Sequence, residues 1–196
     1  MKKCINLADI DLNLSCNDQD NMGGIVPVVI FGYADEVGTW PEKPTPEVAD
    51  TAIDMEAAGA LVGDVVMNDG CRAYKFEFTD DVGSFSIAPQ GENGGESFLY
   101  TLSIINAKIR KKILGFVNAV KGKKIFFIVQ DNNGVYYLMG DAKRGARLAN
   151  DSEGFVTGTN PTERNQASLN FTYSCPRALC YEGDVENLLT AAAQGG

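Results

Sequence analysis

The stretch KKIFFIVQDNNGVYYLMGD, residues 123–141, contains two apolar runs separated by four polar or flexible residues. Apolar runs on either side of an Asn-Gly pair predict a β-hairpin. The separator, Asp131, Asn132, Asn133 and Gly134, also raises the alternative of a ligand or metal loop. Asn133 and Gly134 tolerate the positive φ angles that tight hairpins need, and only Asp131 carries a charge. We therefore interpret these four residues as a structural hairpin turn that requires no metal.

One amphipathic helix is predicted immediately before the hairpin, over about residues 106–121. In the segment NAKIRKKILGFVNAVKGK, Asn106 is a suitable N-cap and Gly122 is placed to end the helix. Apolar residues at spacings of three and four indicate one face that packs on a core, and they are Ile109, Ile113, Phe116, Val117 and Val120.

Strands are predicted through most of the remaining chain. Aromatic and aliphatic residues alternate with polar ones in CRAYKFEFTDD, GSFSIAP and ASLNFTYS, which places the apolar set on one sheet face. SFLYTLSII is apolar at nearly every position and is expected to be buried on both faces. GIVPVVIFGY reads as a first strand, with Pro27 favouring an edge position or a bulge. We predict a mainly β (α+β) protein, an antiparallel β-sandwich or barrel with one helix before a C-terminal hairpin.

The length of 196 residues suits a single hydrophobic core. We expect an N-terminal arm over 1–23, one β-sandwich domain over 24–184, and a C-terminal tail over 185–196. Within the domain, the proline-rich segment 39–50 is expected to be an exposed loop. The polar segment 141–165 is expected to be a long loop with one short strand.

Charge is unevenly distributed along the chain. Residues 1–100 contain 18 acidic and 5 basic residues, whereas residues 101–196 contain 8 acidic and 12 basic, for a net charge of −9. A protein with an acidic and a basic surface favours head-to-tail association of identical copies. The alternative is that both halves mix on one surface.

The chain contains no histidine, which removes the Ser-His-Asp and Cys-His nucleophile systems and His-based zinc sites. Its five cysteines are scattered, and even Cys175 and Cys180 lack CxxC spacing, so reduced thiols are expected. No glycine-rich segment has the phosphate-loop or dinucleotide-binding spacing. We therefore predict that the protein is not an enzyme and that it uses no cofactor and no metal.

Basic residues concentrate around the predicted helix, with seven in the seventeen residues 108–124 and no acid among them. A subunit interface with an acidic surface of a second copy is one interpretation, and a solvated helix face is another. A pI near 4.5 argues against a dedicated nucleic-acid-binding protein. The candidate interface residues are Lys108, Arg110, Lys111, Lys112, Lys121, Lys123, Lys124, Arg144 and Arg147.

The order of a strand (SFLYTLSII), a basic helix (NAKIRKKILGFVNAV), the hairpin and then TGTNPTERNQASLNFTY resembles structural proteins of tailed bacteriophages and prophages, above all the tail tube type. The resemblance covers roughly residues 96–184. It implies a β-sandwich with a flanking helix that assembles into hexameric rings, stacked into a tube with a typically acidic lumen that conducts DNA. Loops and terminal arms would bridge the rings.

The partners that this resemblance implies are further copies of the same chain and other virion proteins, with DNA only as passing cargo and no membrane. The expected location is the virion tail, after assembly in the cytoplasm of the host bacterium. No apolar run reaches the roughly 18 residues that span a bilayer, and the first residues lack the apolar core of a secretion signal. Two alternatives stay open. One is another head, neck or capsid-decorating role, and the other is a small-ligand or carbohydrate-binding module with Trp40, Tyr33 and Tyr74 as stacking surface.

Overall fold

The computed structural model describes residues 4–10, 21–45, 51–150 and 152–190. Within these ranges the chain forms one α-helix and eleven strands, together with short 3₁₀ turns at Ala34–Glu36, Ala57–Gly59 and Asn187–Leu189. The elements are β1 (Val28–Tyr33), β2 (Val37–Thr39), β3 (Val66–Met67), β4 (Tyr74–Glu77), β5 (Ser84–Gln90), β6 (Ser97–Asn106), α1 (Lys111–Val120), β7 (Ile125–Gln130), β8 (Tyr136–Met139), β9 (Arg147–Leu148), β10 (Gly154–Val156) and β11 (Gln166–Cys175).

The strands form two main antiparallel sheets and one small one. The central sheet has the order β4-β1-β7-β8. The outer sheet has the order β10-β11-β6-β5, with β9 also paired to β11, and the small sheet pairs β2 with β3. The prediction of a mainly β fold with antiparallel sheets and one helix is confirmed, and the described strands form open sheets rather than a closed barrel.

The main core lies between the central and outer sheets. Along β11 every second residue is buried, so Leu169, Phe171 and Tyr173 face inward as the alternation predicts. Phe171 meets Phe127 of the central sheet, with ring centroids 4.7 Å apart. The helix packs at the side of this core through Ile113 and Val120, both buried. Antiparallel alternation thus fixes which face of each sheet loses contact with water.

The central sheet is buried on its second face as well. Strand β7 is buried from Ile125 to Val129, so Phe126 and Ile128 point away from the main core into a second cluster. This cluster is supplied by the small sheet and by the segment around Tyr181 and Leu188. Gly32, paired with Phe126 on the neighbouring strand, leaves room for the Phe126 ring, because a Cβ at Gly32 would lie 2.7 Å from it. The molecule therefore has three layers.

The helix begins later than the sequence predicts. It starts at Lys111 rather than Asn106, and Arg110 precedes it with extended backbone angles. Asn106 is the last residue of β6, where its side-chain amide donates a hydrogen bond to the Glu77 carbonyl (3.1 Å). The Ala107 N–H donates a hydrogen bond to the Thr79 hydroxyl (2.9 Å). Because these bonds tie residues 106–107 to the β4 end, Asn106 does not act as the predicted cap.

Two strand predictions also need correction. We expected β6 to be buried on both faces, yet its burial alternates, with Tyr100, Leu102 and Ile104 inward and the intervening residues part-exposed. We expected Pro27 to mark an edge or a bulge, yet β1 pairs with strands on both sides. Pro27 lies before the first residue of β1, where its missing N–H costs nothing and its carbonyl accepts from the Phe78 N–H.

Several predicted loops and termini carry more structure than expected. The tail predicted over 185–196 is packed as far as it is described, because Leu188 is buried and its carbonyl accepts from the Ala73 N–H (2.7 Å). Residues 191–196 lie outside the described chain. The polar segment 141–165 contains two short strands, β9 and β10, rather than one. In the predicted exposed loop 39–50, Pro44 is buried and residues 46–50 lie outside the described chain. In the N-terminal arm, only 4–10 and 21–23 are described, and Ile5 forms a parallel bridge with Ile53.

Replacing Phe127 or Phe126 with alanine tests the three-layer arrangement. Both rings are fully buried, on opposite faces of β7, so each substitution should lower the free energy of unfolding by about 3–5 kcal/mol. Urea denaturation would measure both losses. In a two-layer sandwich one of the two rings would be exposed, and its removal would change stability by only about 0.5 kcal/mol. Leu114→Ala, at a position that is 40% exposed, is the control that should change little.

Candidate functional sites

The nine predicted basic interface residues lie in three segments of the chain. All nine are exposed, but they divide into three groups. The first comprises residues 108–112 at the start of the helix, where Arg110 and Lys112 line a shallow cleft with Phe76. The second comprises Lys121 and Lys123 after the helix. The third brings together Lys124, Arg144 and Arg147, which line a single cavity.

This basic cavity has a volume of about 380 Å³ and opens to solvent. Four cationic side chains line it, from Lys124, Lys143, Arg144 and Arg147. Residues 172–174 of β11 complete the wall and contribute the hydroxyls of Thr172 and Ser174. Our sequence prediction omitted Lys143 and the two hydroxyls. The alternation in ASLNFTYS places Thr172 and Ser174 on one face, but no local pattern brings that face to Lys124.

The cavity is built by pairing between distant segments. Ile125 and Ala146 exchange two backbone hydrogen bonds, which holds the loop after β8 against the start of β7 (2.7 and 3.2 Å). Strand β9 places Arg147 opposite Thr172 of β11. The Lys124 ammonium donates to the Lys143 carbonyl (3.1 Å). Residues separated by about 50 positions in the chain are therefore fixed next to one another.

Asp141 organises the loop that carries two of the cations. Its Oδ1 accepts hydrogen bonds from the backbone N–H groups of Lys143 (2.8 Å) and Arg144 (2.7 Å). Its Oδ2 accepts from the Tyr173 hydroxyl (2.8 Å) and lies 3.5 Å from the Lys43 ammonium. Burial alone would raise the pKa of this carboxyl, but the hydrogen bonds and Lys43 outweigh burial and lower it. Burial, with Cys175 and Asp141 nearby, raises the pKa of Tyr173, so this hydroxyl stays a donor.

The predicted hairpin turn at 131–134 is stabilised by hydrogen bonds to its own Asp131 side chain. Asp131 Oδ1 accepts from the N–H groups of Asn133 and Val135 (both 2.9 Å), and Gly134 adopts a φ of 92°. Asn132 and Asn133 instead contact the segment that precedes β1. The Asn132 amide donates to the Gly23 carbonyl (2.8 Å), and Asn133 Oδ1 accepts from the Met22 N–H (2.9 Å). The two asparagines therefore bind the end of the N-terminal arm.

The three aromatic residues proposed as a stacking surface do not come together. Tyr33 and Tyr74 line an apolar groove of about 350 Å³ between β1 and the helix, beside Phe116. Trp40 lies on the other face of the central sheet, where its ring packs edge-on against Phe126 (5.9 Å). The carbohydrate-stacking set predicted from the sequence is therefore split between two sides of the molecule.

The described residues contain neither a metal-binding cluster nor a membrane-spanning helix. Across 4–10, 21–45, 51–150 and 152–190, no three His, Cys, Asp or Glu side chains are grouped so that they could hold a metal ion. In the same ranges, the helix is too short and insufficiently apolar to cross a membrane. Comparison of the chain with protein-family models, curated proteins and solved structures finds no match.

Replacing Asp141 with asparagine should destabilise the protein in a pH-dependent manner. Because the pKa of Asp141 is lower in the folded protein, its stabilisation is complete above the unfolded pKa of about 3.9 and is lost as pH falls through the folded value. We expect Asp141→Asn to lower the free energy of unfolding by about 1 kcal/mol at pH 7. This loss is smaller than for a fully buried hydrogen bond to a charged group, because the carboxylate is partly exposed to solvent.

The difference in unfolding free energy between wild type and Asp141→Asn should shrink below about pH 4, as measured by urea denaturation at several pH values. Asp69→Asn is the matched control, since Asp69 is exposed and its carboxylate accepts no hydrogen bond within the described structure. A difference that stays constant from pH 7 to pH 3 would show that the charge of Asp141 does not matter.

Proposed function

We propose that this protein is a non-enzymatic virion structural protein, a tail tube subunit that assembles with further copies of itself into rings and stacked tubes. The observation that carries the proposal is the open edge of the outer sheet. Strand β5 is seven residues long, and among the described strands it pairs only with β6. No described residue hydrogen-bonds to the backbone of its other edge.

The composition of β5 favours pairing with another chain. Monomeric proteins commonly protect an edge strand with lysine, a charged inward residue or a covering element. The sequence SFSIAPQ has no charged residue, and its one protective feature is Pro89 near its C-terminal end. An unprotected edge of this length is a template for a strand of a second copy.

The two edges of the outer sheet differ, which favours a ring. One edge is β5, and the other is formed by the short strands β9 and β10, both paired to β11. Contact between two different edges is heterologous, and a heterologous contact closes into a ring when its rotation divides a full turn. Ring formation is the assembly that the tail tube resemblance implies.

The solvent-facing side of the outer sheet suits a channel wall. Strands β5, β6 and β11 contain no charged residue, and their outward positions carry mainly hydroxyl and amide groups, such as Thr101, Ser103, Asn170 and Thr172. The part of this face formed by β5 and β6 carries no cation and would not hold the DNA phosphates, since these bind chiefly to lysine and arginine. At β11 the face adjoins the basic cavity, so the proposed channel wall is the β5–β6 part. The resemblance implies an acidic lumen, and on this arrangement the acids would come from loops at the rim of the sheet.

The N-terminal arm offers a second contact to a neighbouring subunit. Leu7 and Ile10 are each 82% exposed, and Met22 is 60% exposed. Exposed large apolar residues on one segment are typical of a segment that is covered in an assembly. The arm is held to its own subunit through Ile53 and the hairpin turn, so its apolar residues are free to contact another copy.

Placing charge on β5 tests the edge contact. Ser86→Lys combined with Ala88→Lys puts two cations on the exposed positions of this edge strand, and pairing with a neighbouring edge should weaken. Size-exclusion chromatography with light scattering, and negative-stain electron microscopy, should show rings or tubes for wild type and monomers for the variant.

Thr101→Lys is the matched control, because Thr101 lies on the same sheet face but on the interior strand β6. It should leave assembly intact. Loss of assembly in Thr101→Lys as well would place the contact on the sheet face rather than on the edge. A wild-type protein that stays monomeric at millimolar concentration would contradict the assembly itself.

A further inference from the structure

We propose that the basic cavity is a binding site for the phosphate groups of a small phosphorylated molecule, with a compound that carries a chain of two or three phosphates as the fitting class. Four cationic residues line a volume of about 380 Å³, and among the described residues no carboxylate lines it. Within the described ranges none of the four forms an ion pair, and the ion pair found next to the cavity joins Lys43 to Asp141. An anion in the cavity would relieve the mutual repulsion of the four cations.

The donors are of the types that recognise phosphate. Arg144 and Arg147 each offer a planar fork of N–H groups that matches two phosphate oxygens at once. Lys124 and Lys143 add point charges, and the hydroxyls of Thr172 and Ser174 are neutral donors on the same wall. A set of two guanidinium groups, two ammonium groups and two hydroxyls exceeds what one phosphate needs and suits a chain of two or three.

The cations project from a fixed frame. Asp141 binds the N–H groups of Lys143 and Arg144, and the Tyr173 hydroxyl holds its other oxygen. Tyr173 is itself buried in the main core, so the loop is anchored to that core. A frame that is ordered before binding reduces the entropy lost when the ligand binds.

Cavity shape and overall charge favour a small ligand over a nucleic acid. A concave volume of about 380 Å³ lies in the range of small-molecule sites, whereas a duplex backbone needs an extended basic surface. The protein carries a net charge of −9, which repels a long polyanion over the rest of its surface. A ligand small enough to fit within the cavity interacts electrostatically mainly with the four cations that line it.

Isothermal titration calorimetry with magnesium-free adenosine triphosphate and with inorganic pyrophosphate, at low ionic strength, tests the proposal. Wild-type protein should bind both, and raising the salt concentration should weaken both. Arg144→Gln and Arg147→Gln should each reduce affinity about tenfold or more, because each removes charged hydrogen bonds. Arg110→Gln, an exposed arginine outside the cavity, should leave affinity unchanged.

Three results would overturn the proposal. The first is no binding of either probe at 10 mM, a concentration on the order of the weakest useful affinities. The second is an equal loss in Arg110→Gln and Arg144→Gln, which would indicate general attraction to basic residues. The third is tighter binding of a 20-base-pair DNA duplex than of adenosine triphosphate under the same conditions. Thermal unfolding of each variant establishes that it folds, since both arginines are exposed and their loss should barely shift Tm.

Discussion

The burial of β7 on both faces is the constraint on which the rest of the structure depends. Its residues Ile125 to Val129 are removed from water on the side of the outer sheet and on the side of the small sheet. An antiparallel strand with one wet face would alternate, but this strand is a continuous apolar run, and such a run is stable only between two covering layers. The second covering layer consists of short segments with little regular secondary structure. Its buried residues include Val37, Val65 and Leu188. The long segment between β1 and β4 and the C-terminal segment therefore belong to the fold, because without them Phe126 and Ile128 would face water.

The same strand connects the core to both candidate surfaces. At its first residue, Ile125 exchanges hydrogen bonds with Ala146 and so holds the cationic loop in place. At its far end, the turn that begins at Asp131 binds the segment leading out of the N-terminal arm through Asn132 and Asn133. The two ends of one buried strand thus position the basic cavity and the end of the arm. Their separation follows from the length of β7, since six residues of strand span roughly 20 Å.

The sequence predicted what depends on local periodicity. The inward residues of β11, the hairpin around Asn133 and Gly134, and the presence of one helix all follow from alternation, turn chemistry and a spacing of three to four. The errors arise where distant contacts override a local preference. Asn106 is a good N-cap by type, but its amide bonds to β4 and extends the strand instead. The apolar run of β6 indicated burial on both faces, but no layer of the described chain covers its outer side, and Ile105 and Leu99 are part-exposed. The basic cavity depends on the pairing of β9 with β11 and of Ile125 with Ala146, which no local pattern contains.

The placement of charge links the two proposals without making one depend on the other. In the outer sheet, β5 forms the open, uncharged edge. The cavity lies toward the other edge of that sheet, where β9 pairs with β11. A neighbour that pairs with β5 would present its own β9–β10 edge, and Arg147 lies on that edge. The basic cavity would then sit next to the subunit boundary, and an anion bound there would neutralise cations that a neighbouring strand approaches. Four cations without an anion beside a strand edge oppose pairing, because they lose water when the neighbouring strand binds. An anion bound in the cavity would reduce this cost and would thereby favour closure of the ring.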